Sequence, residues 1–548
     1  MTNNEALYPS KNLTMSSESK ENKDELIVNN KPALAEDSNV SALYIFKSND
    51  ESNDKRSSVG NEIKAGGWTP MLMLAGAICC LGSAVPAGYN IGVINNAASV
   101  MKRFCNDSIK DNYGVEINSF WLNTLWSSIV SIFLIGGVTG SLISSVIANK
   151  LGRRGALAIG NVCGIIGAAM LFLVPIIHSV ELFLLGRLIV GLSGGLATSL
   201  LPTYMTEIAP LKLRGAVGVL CQLGITCGVL LGQIASLENV LGNELHWNYM
   251  LAAFSPLCFI ALLFTYALPE SPKYLFVFRE EKEKALHALS RFRNMDIMLL
   301  KTEIDDLESE LANKSTDTAW TIIDVIKDST LRLPLILVCL LQLGQQLSGV
   351  NAVFYYSKII FQKVELSNEQ SEYAIIGTGI INIGMALISV PVMSCFGRRT
   401  LLFVSAYSTI GCLVVLCASI ALIEFGFMRW VCIAAVLAFV LFYGIGLGPI
   451  PYFIGSELFD VGPRVAAMSL GSVCNWGGNF IVGMTFPFLQ EWINSYSFLV
   501  FATCILVLVL FSRKYLPETR GKTTTEIAAS VSQGLKSRPL EGPASNVT

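Results

Sequence analysis

The chain has 548 residues, 52% of them hydrophobic and only 15% charged, with a net charge of −2. Soluble domains carry about 25% charged residues, so this composition excludes a soluble globular protein. The near-neutral charge gives no basic footprint for nucleic acid.

Residues 1–67, rich in Asn, Ser, Lys and Glu, form an expected disordered cytoplasmic tail. The first apolar run begins only near residue 70, so no N-terminal signal peptide is expected and the first span acts as its own insertion signal. A spanning helix needs about 20 mostly apolar residues. Such runs cover 71–96, 122–148, 156–177, 182–204, 215–236 and 249–268. After a charged stretch they resume at 333–356, 373–393, 401–423, 430–454, 466–488 and 497–515. The intervening Glu280-Glu281-Lys282-Glu283-Lys284 and Glu303-Ile304-Asp305-Asp306-Leu307 suggest short amphipathic helices on the cytoplasmic surface. The expected fold is all-α and integral to the membrane, with about twelve spans in two six-helix bundles, 68–269 and 332–516. A cytoplasmic helical linker, 270–331, joins them, and a cytoplasmic tail, 517–548, follows.

Lys150, Arg153, Arg154, Lys212, Arg214, Arg398, Arg399, Arg464, Arg513 and Lys514 fall in alternate loops or span ends. The positive-inside rule then places both termini in the cytoplasm. Asn106-Asp107-Ser108 is a glycosylation sequon in the first outer loop, with Asn106 as the acceptor. The 14 cysteines show no metal-ligand or disulfide spacing and are expected to pack as apolar residues.

Gly152-Arg153-Arg154 recurs as Gly397-Arg398-Arg399, Glu207 and Arg214 as Glu457 and Arg464, and Pro269-Glu270 as Pro517-Glu518. Each echo lies about 245 to 250 residues on, which indicates two homologous halves in a parallel repeat. The substrate path is expected between the halves. The arginines Arg153, Arg154, Arg214, Arg398, Arg399 and Arg464 can offer forked donors to Glu207 and Glu457 at the cytoplasmic span ends. The sequence thus predicts a latch that closes when the protein faces outward. Arg187 opens the fourth span, either as a functional intramembrane charge or as a side chain snorkelling to the interface.

Gln342, Gln345, Gln346 and Asn351 lie within ten residues of an otherwise apolar run. Unpartnered amides in hydrocarbon cost several kcal/mol each, so they either glue helices together or meet a neutral, hydroxyl-rich ligand. On a regular helix Gln342, Gln345 and Gln346 share a face and Asn351 does not. If all touch one ligand, the helix breaks near Gly349.

Several segments resemble signatures of sugar porters of the major facilitator superfamily. They are Gly88-Tyr89-Asn90-Ile91-Gly92-Val93-Ile94-Asn95, Pro202-Thr203-Tyr204-Met205-Thr206-Glu207, Pro269-Glu270-Ser271-Pro272, Gln345-Gln346-Leu347-Ser348-Gly349-Val350-Asn351, Gly448-Pro449-Ile450-Pro451-Tyr452 and Pro517-Glu518-Thr519-Arg520-Gly521. Together they are similar to animal facilitative glucose transporters over about residues 68–527. The resemblance implies a sugar site of Gln222, Gln345, Gln346, Asn351, Asn382, Tyr452 and Asn479. Phe354, Tyr355, Tyr356 and Trp476 offer ring surfaces, either to the sugar or to neighbouring helices. Tyr452 stands where the family usually has tryptophan, and Gly444 where close relatives have glutamate. Ser394 stands at an often acidic position, and Lys273 replaces an arginine.

Proton-coupled relatives carry an aspartate at the position of Asn90, and an amide cannot titrate. The resemblance therefore implies facilitated uniport of hexoses, D-glucose foremost, across the plasma membrane by a functional monomer. A proton symporter and a non-transporting sugar receptor are the alternatives. Neither an enzyme nor a cofactor or metal site is expected, since no nucleophile, base and acid form a recognisable motif.

Overall fold

The computed structural model describes residues 67–94, 97–312, 320–353 and 368–531, with Gly534 and Ser537. The expected N-terminal tail, the rings of Phe354, Tyr355 and Tyr356, and the end of the C-terminal tail lie outside the described residues. The described residues are all-helical, with no strand among them.

In the first half, α1 (Pro70–Gly92) is a span and α2 (Ala98–Tyr113) a loop helix carrying Asn106. Then follow α3 (Ser119–Ile177), α4 (Val180–Ile208), α5 (Arg214–Ala235) and α6 (Trp247–Thr265). Three short linker helices come next: α7 (Lys282–Arg293), α8 (Lys301–Ala312) and α9 (Ile322–Lys327). The second half holds α10 (Arg332–Gln346), α11 (Asn368–Cys395), α12 (Arg398–Ala421), α13 (Met428–Ile445) and α14 (Ile450–Leu458). It closes with α15 (Val461–Ile493), α16 (Ser497–Tyr515) and α17 (Thr524–Val531).

Among the described residues, ten segments are long and apolar enough to cross a bilayer. One of them, α3, has 59 residues. A straight helix of that length would run about 90 Å, three times the hydrocarbon core. Gly152 interrupts it with φ 81° and ψ 175°, so α3 is two spans joined at a turn. Counting α3 twice and adding the 33-residue α15 gives twelve among the described residues.

Large apolar side chains such as Phe259, Leu263, Val507 and Leu510 stay exposed on the outside, where lipid rather than water is their solvent. Between helices, small residues set the spacing. A Cβ on Gly191 would stand 2.1 Å from the Phe133 carbonyl, and one on Gly195 2.1 Å from that of Gly137. Only glycine permits α3 and α4 to approach so closely.

The halves meet where α5 packs on α11 and where the first limb of α3 packs on α15. Along the α3, α4 and α15 seam, Ser141 pairs with Ser472 at 2.8 Å, Ser144 with Ser469 at 2.6 Å, and Thr198 with Ser472 at 2.8 Å. The linker also ties in. Arg293 forks onto Glu303 with two 2.7 Å bonds and donates to the Ile208 carbonyl. Trp320 accepts from Asn149 through its carbonyl and sets its ring against Gly462.

Candidate functional site

Two helix breaks shape the centre of the molecule. The α10 helix ends at Gln346, and Gly349 adopts φ 82° before a short helical stretch resumes at Val350. This is the break that the amide phasing predicts. Between α13 and α14, residues 446–449 form a turn, with Gly446 at φ −146° and ψ −52°.

A cavity walled by amides and apolar side chains lies beside both breaks. Its walls include Gln222, Gln346, Asn351, Asn382, Tyr452 and Asn479, six of the seven expected site residues. Both halves contribute, since Gln222 is on α5 and the other five follow the linker. Gln345 is turned away. Its amide nitrogen donates to the Gly448 carbonyl and its oxygen accepts from Asn475 at 2.6 Å. Gln342 is likewise satisfied by protein, donating to the Pro451 carbonyl at 2.9 Å. The four-amide cluster thus divides: Gln342 and Gln345 are interhelical glue, while Gln346 and Asn351 face the cavity.

The cavity is also lined by Thr198, Thr226, Gln233, Tyr443, Asn475 and Trp476. The amide oxygens of Gln233, Asn382 and Asn479 are buried yet have no hydrogen-bond partner among the described residues. Three unfilled acceptors around one cavity are costly unless something donates to them. Hydroxyl groups would. Trp476 gives its indole N–H to Thr198 at 3.0 Å and meets Phe133 edge-on, so its ring is held by packing while it lines the wall.

At one rim the charged groups repeat in both halves. Glu270 accepts from the backbone N–H groups of Arg153 and Arg154, and Glu518 from those of Arg398 and Arg399. Arg153 pairs with Glu207 at 3.0 Å, and Arg398 with Glu457 at 3.0 Å. Ser271 donates to Glu207 and Thr519 to Glu457, at 2.6 and 2.5 Å. Arg154 caps the Leu268 carbonyl as Arg399 caps that of Leu516. Arg464 of the second half reaches Glu207 of the first at 3.5 Å. Arg398 lies so close to the start of α5 that a Cβ on Gly215 would stand 2.3 Å from its Nη2. Arg214 is also at this rim, lining a crevice with Glu207, Lys273 and Glu303.

Known proteins are similar to this chain in sequence and in fold. The family pattern described as "Sugar (and other) transporter" matches residues 75–530. The chain is 36% identical to the chicken (Gallus gallus) facilitated glucose transporter member 1, over 87% of this chain and 96% of that one. It is 38% identical to human member 3, over 84% and 92%.

The chain belongs to the sugar transporter family.

Among solved structures, the proton:xylose symporter XylE bound to 6-bromo-6-deoxy-D-glucose is similar in fold. Its TM-score is 0.73 at 24% identity, covering 84% of this chain and 99% of that one. An inward-open XylE from E. coli gives a TM-score of 0.62 at 23% identity, covering 84% and 99%. The all-α major facilitator architecture expected from sequence is therefore shown.

In this sugar transporter the departures from the family pattern have structural counterparts. A Cβ at Gly444 would meet the Met385 Cβ at 2.8 Å, so packing of α13 on α11 occupies the place of a longer side chain. Tyr452 is buried in the cavity wall. The Ser394 carbonyl accepts from Arg520 at 2.8 Å, so a main-chain oxygen meets the guanidinium there. Lys273 pairs with Glu310, a point contact in place of a fork. Arg187 does not snorkel. It is buried, contacts the Asn90 carbonyl at 3.3 Å and lies 4.4 Å from the centre of the Phe133 ring.

Burial pushes the Glu310 carboxyl up, but the Lys273 ammonium and Arg464 outweigh it and hold the pKa below the usual range. Such a group stabilises the fold at pH above its unfolded pKa of about 4.3, and that stability is lost as pH falls through the folded value. Melting temperature measured from pH 7 to pH 3.5 should therefore fall below about pH 4.3, and less so in Glu310→Gln.

Proposed function

We propose that this sugar transporter is a facilitative uniporter of hexoses, with D-glucose foremost, working by alternating access. The observation that carries this reading is the set of unfilled amide oxygens of Gln233, Asn382 and Asn479 around one cavity. A pyranose presents hydroxyl donors on several sides, and Gln222, Gln346 and Asn351 add donors for its acceptor oxygens. The relatives named as facilitated glucose transporters support the same substrate class.

Uniport is favoured by the lining of the cavity. Among the described residues its walls carry no carboxylate and no imidazole. At the position of the symporters' aspartate, Asn90 donates to the Pro86 carbonyl at 2.9 Å and cannot exchange a proton. Uptake of labelled D-glucose into proteoliposomes should be saturable, show counterflow and ignore an imposed pH gradient. Inward current with sugar would make the protein a symporter. No uptake of any hexose by folded protein would favour a receptor.

The charged rim is the cytoplasmic latch of this cycle, closed in the present structure. Both termini and the 270–331 linker then lie in the cytoplasm, the six-helix bundles 68–269 and 332–516 move against each other, and Asn106 faces the outside as the glycan acceptor. The plasma membrane is the site of action, and the monomer is the working unit.

The empty acceptors make a distinctive prediction. Asn382→Leu removes a buried polar group that has no protein partner, so melting temperature should hold or rise. Hexose uptake should nonetheless fall at least about tenfold, the worth of one lost hydrogen bond to a desolvated group. Unchanged uptake would place the sugar elsewhere.

A further inference from the structure

Among the described residues, one amide in the cavity wall has more side-chain hydrogen bonds to protein than any expected site residue. Asn475, on α15, accepts from the Gln346 amide nitrogen at 3.0 Å. Its own nitrogen donates to Gln345 Oε1 at 2.6 Å and to Gln342 Oε1 at 2.9 Å. The links continue on both sides. Asn351 donates to Gln346 Oε1 at 2.6 Å, beyond the break at Gly349. Gln345 and Gln342 donate to the Gly448 and Pro451 carbonyls, at and just after the break between α13 and α14. Every link therefore runs in one direction, from Asn351 through Gln346 and Asn475 to the backbone of the second break.

We propose that Asn475 is a positioning residue that fixes the donor and acceptor ends of Gln346 and Asn351 and couples the break at Gly349 to that at 446–449. The proposal rests on the reading of the cavity as the sugar site. Its physical basis is the shared polarity of the links. Turning over any one amide sets oxygen against oxygen or nitrogen against nitrogen at both of its neighbours. Gln342, Gln345, Gln346 and Asn475 are all buried, so such a mismatch cannot be relieved by bulk water. The amides hold one orientation together or lose it together. A sugar that bonds Gln346 and Asn351 then acts on Gly448 and Pro451 as well, without touching them.

Asn475→Asp keeps the size and the acceptor but removes both donors. Its carboxylate would face Gln342 Oε1 and Gln345 Oε1, and turning those amides strips Gly448 and Pro451 of their donors. In full-length protein reconstituted into proteoliposomes, N475D should raise the KM for D-glucose at least tenfold and be no better than N475A. A side chain that merely fills space would tolerate aspartate, so a wild-type KM in N475D overturns the proposal.

The double variant N351A/N475A extends the test should the aspartate variant fold poorly. In a coupled chain its kcat/KM lies within about threefold of the worse single variant, whereas independent residues multiply their losses. A sugar-free arm compares melting of purified N475A, Q342A and N475A/Q342A. Additive melting shifts overturn the chain whatever the transport result. Coupled melting with no hexose uptake by wild type refutes the sugar reading and leaves the amide chain standing.

Discussion

Glu207→Gln should open the charged rim by at least a hundredfold in equilibrium terms. One buried carboxylate serves Arg153, Arg464 and Ser271, and the two guanidinium groups are themselves buried. Glutamine keeps an acceptor but turns an N–H₂ toward donors. Arg153 and Ser271 belong with the half that carries Glu207, so it is Arg464 that distinguishes the closed rim. Leaving that buried charge without its counter-ion costs about 3–5 kcal/mol. Each 1.4 kcal/mol is a factor of ten, so the closed rim should lose about two to three and a half decades of population. Ser469→Cys offers a reporter, because Ser469 sits fully buried against Ser144 in the seam between halves. Its labelling by a thiol reagent applied from the side of the charged rim should quicken at least tenfold in E207Q, relative to Ser469→Cys alone. A lower melting temperature with unchanged labelling would make Glu207 a stability residue and not a latch.

Gly349→Ala should cut hexose turnover by at least about tenfold. The φ of 82° at Gly349 costs an L-residue about 1–2 kcal/mol. A new Cβ would also stand 2.6 Å from Cδ2 of Phe501, a ring that is buried and cannot swing outward. Such overpacking costs about 1–3 kcal/mol. The two contributions are separable. Phe501→Leu in the same chain should recover the steric part of the lost turnover and melting temperature, and leave the part due to backbone conformation. Full activity in G349A would show that the break at Gly349 is not used in the cycle.

The twelve spans, the duplication and the break at Gly349 were legible because each follows from local pattern: apolar run length, repeated short motifs and helical phase. What was not legible depends on partners far along the chain. Gln345 and Gln346 are neighbours of identical chemistry, yet one meets the Gly448 carbonyl and the other the cavity. Only the packing of α14 and α15 separates them. For Arg187 no carboxylate stands out within the first span, and its buried position depends on Asn90 and Phe133, on two other spans. Asn475 and Gln233 were missed although the signal was available. Both are primary amides inside apolar runs, the same feature that drew attention to Gln346.

The hydroxyl pairs between α3, α4 and α15 bear on speed. Ser141 also donates to the Gly137 carbonyl at 2.8 Å, Thr198 to that of Gly194 at 3.1 Å, and Ser469 to that of Val465 at 2.8 Å. Ser141, Ser144, Thr198 and Ser469 therefore each keep a bond within their own helix when their partners withdraw, whereas Ser472 is bonded only across the seam. Parting this seam then leaves only the Ser472 hydroxyl and the Trp476 indole N–H, of the groups named here, to find new partners. In the proposed cycle the ion pairs would set how long the charged rim stays shut, while the serines and Thr198 let the seam itself part at little cost.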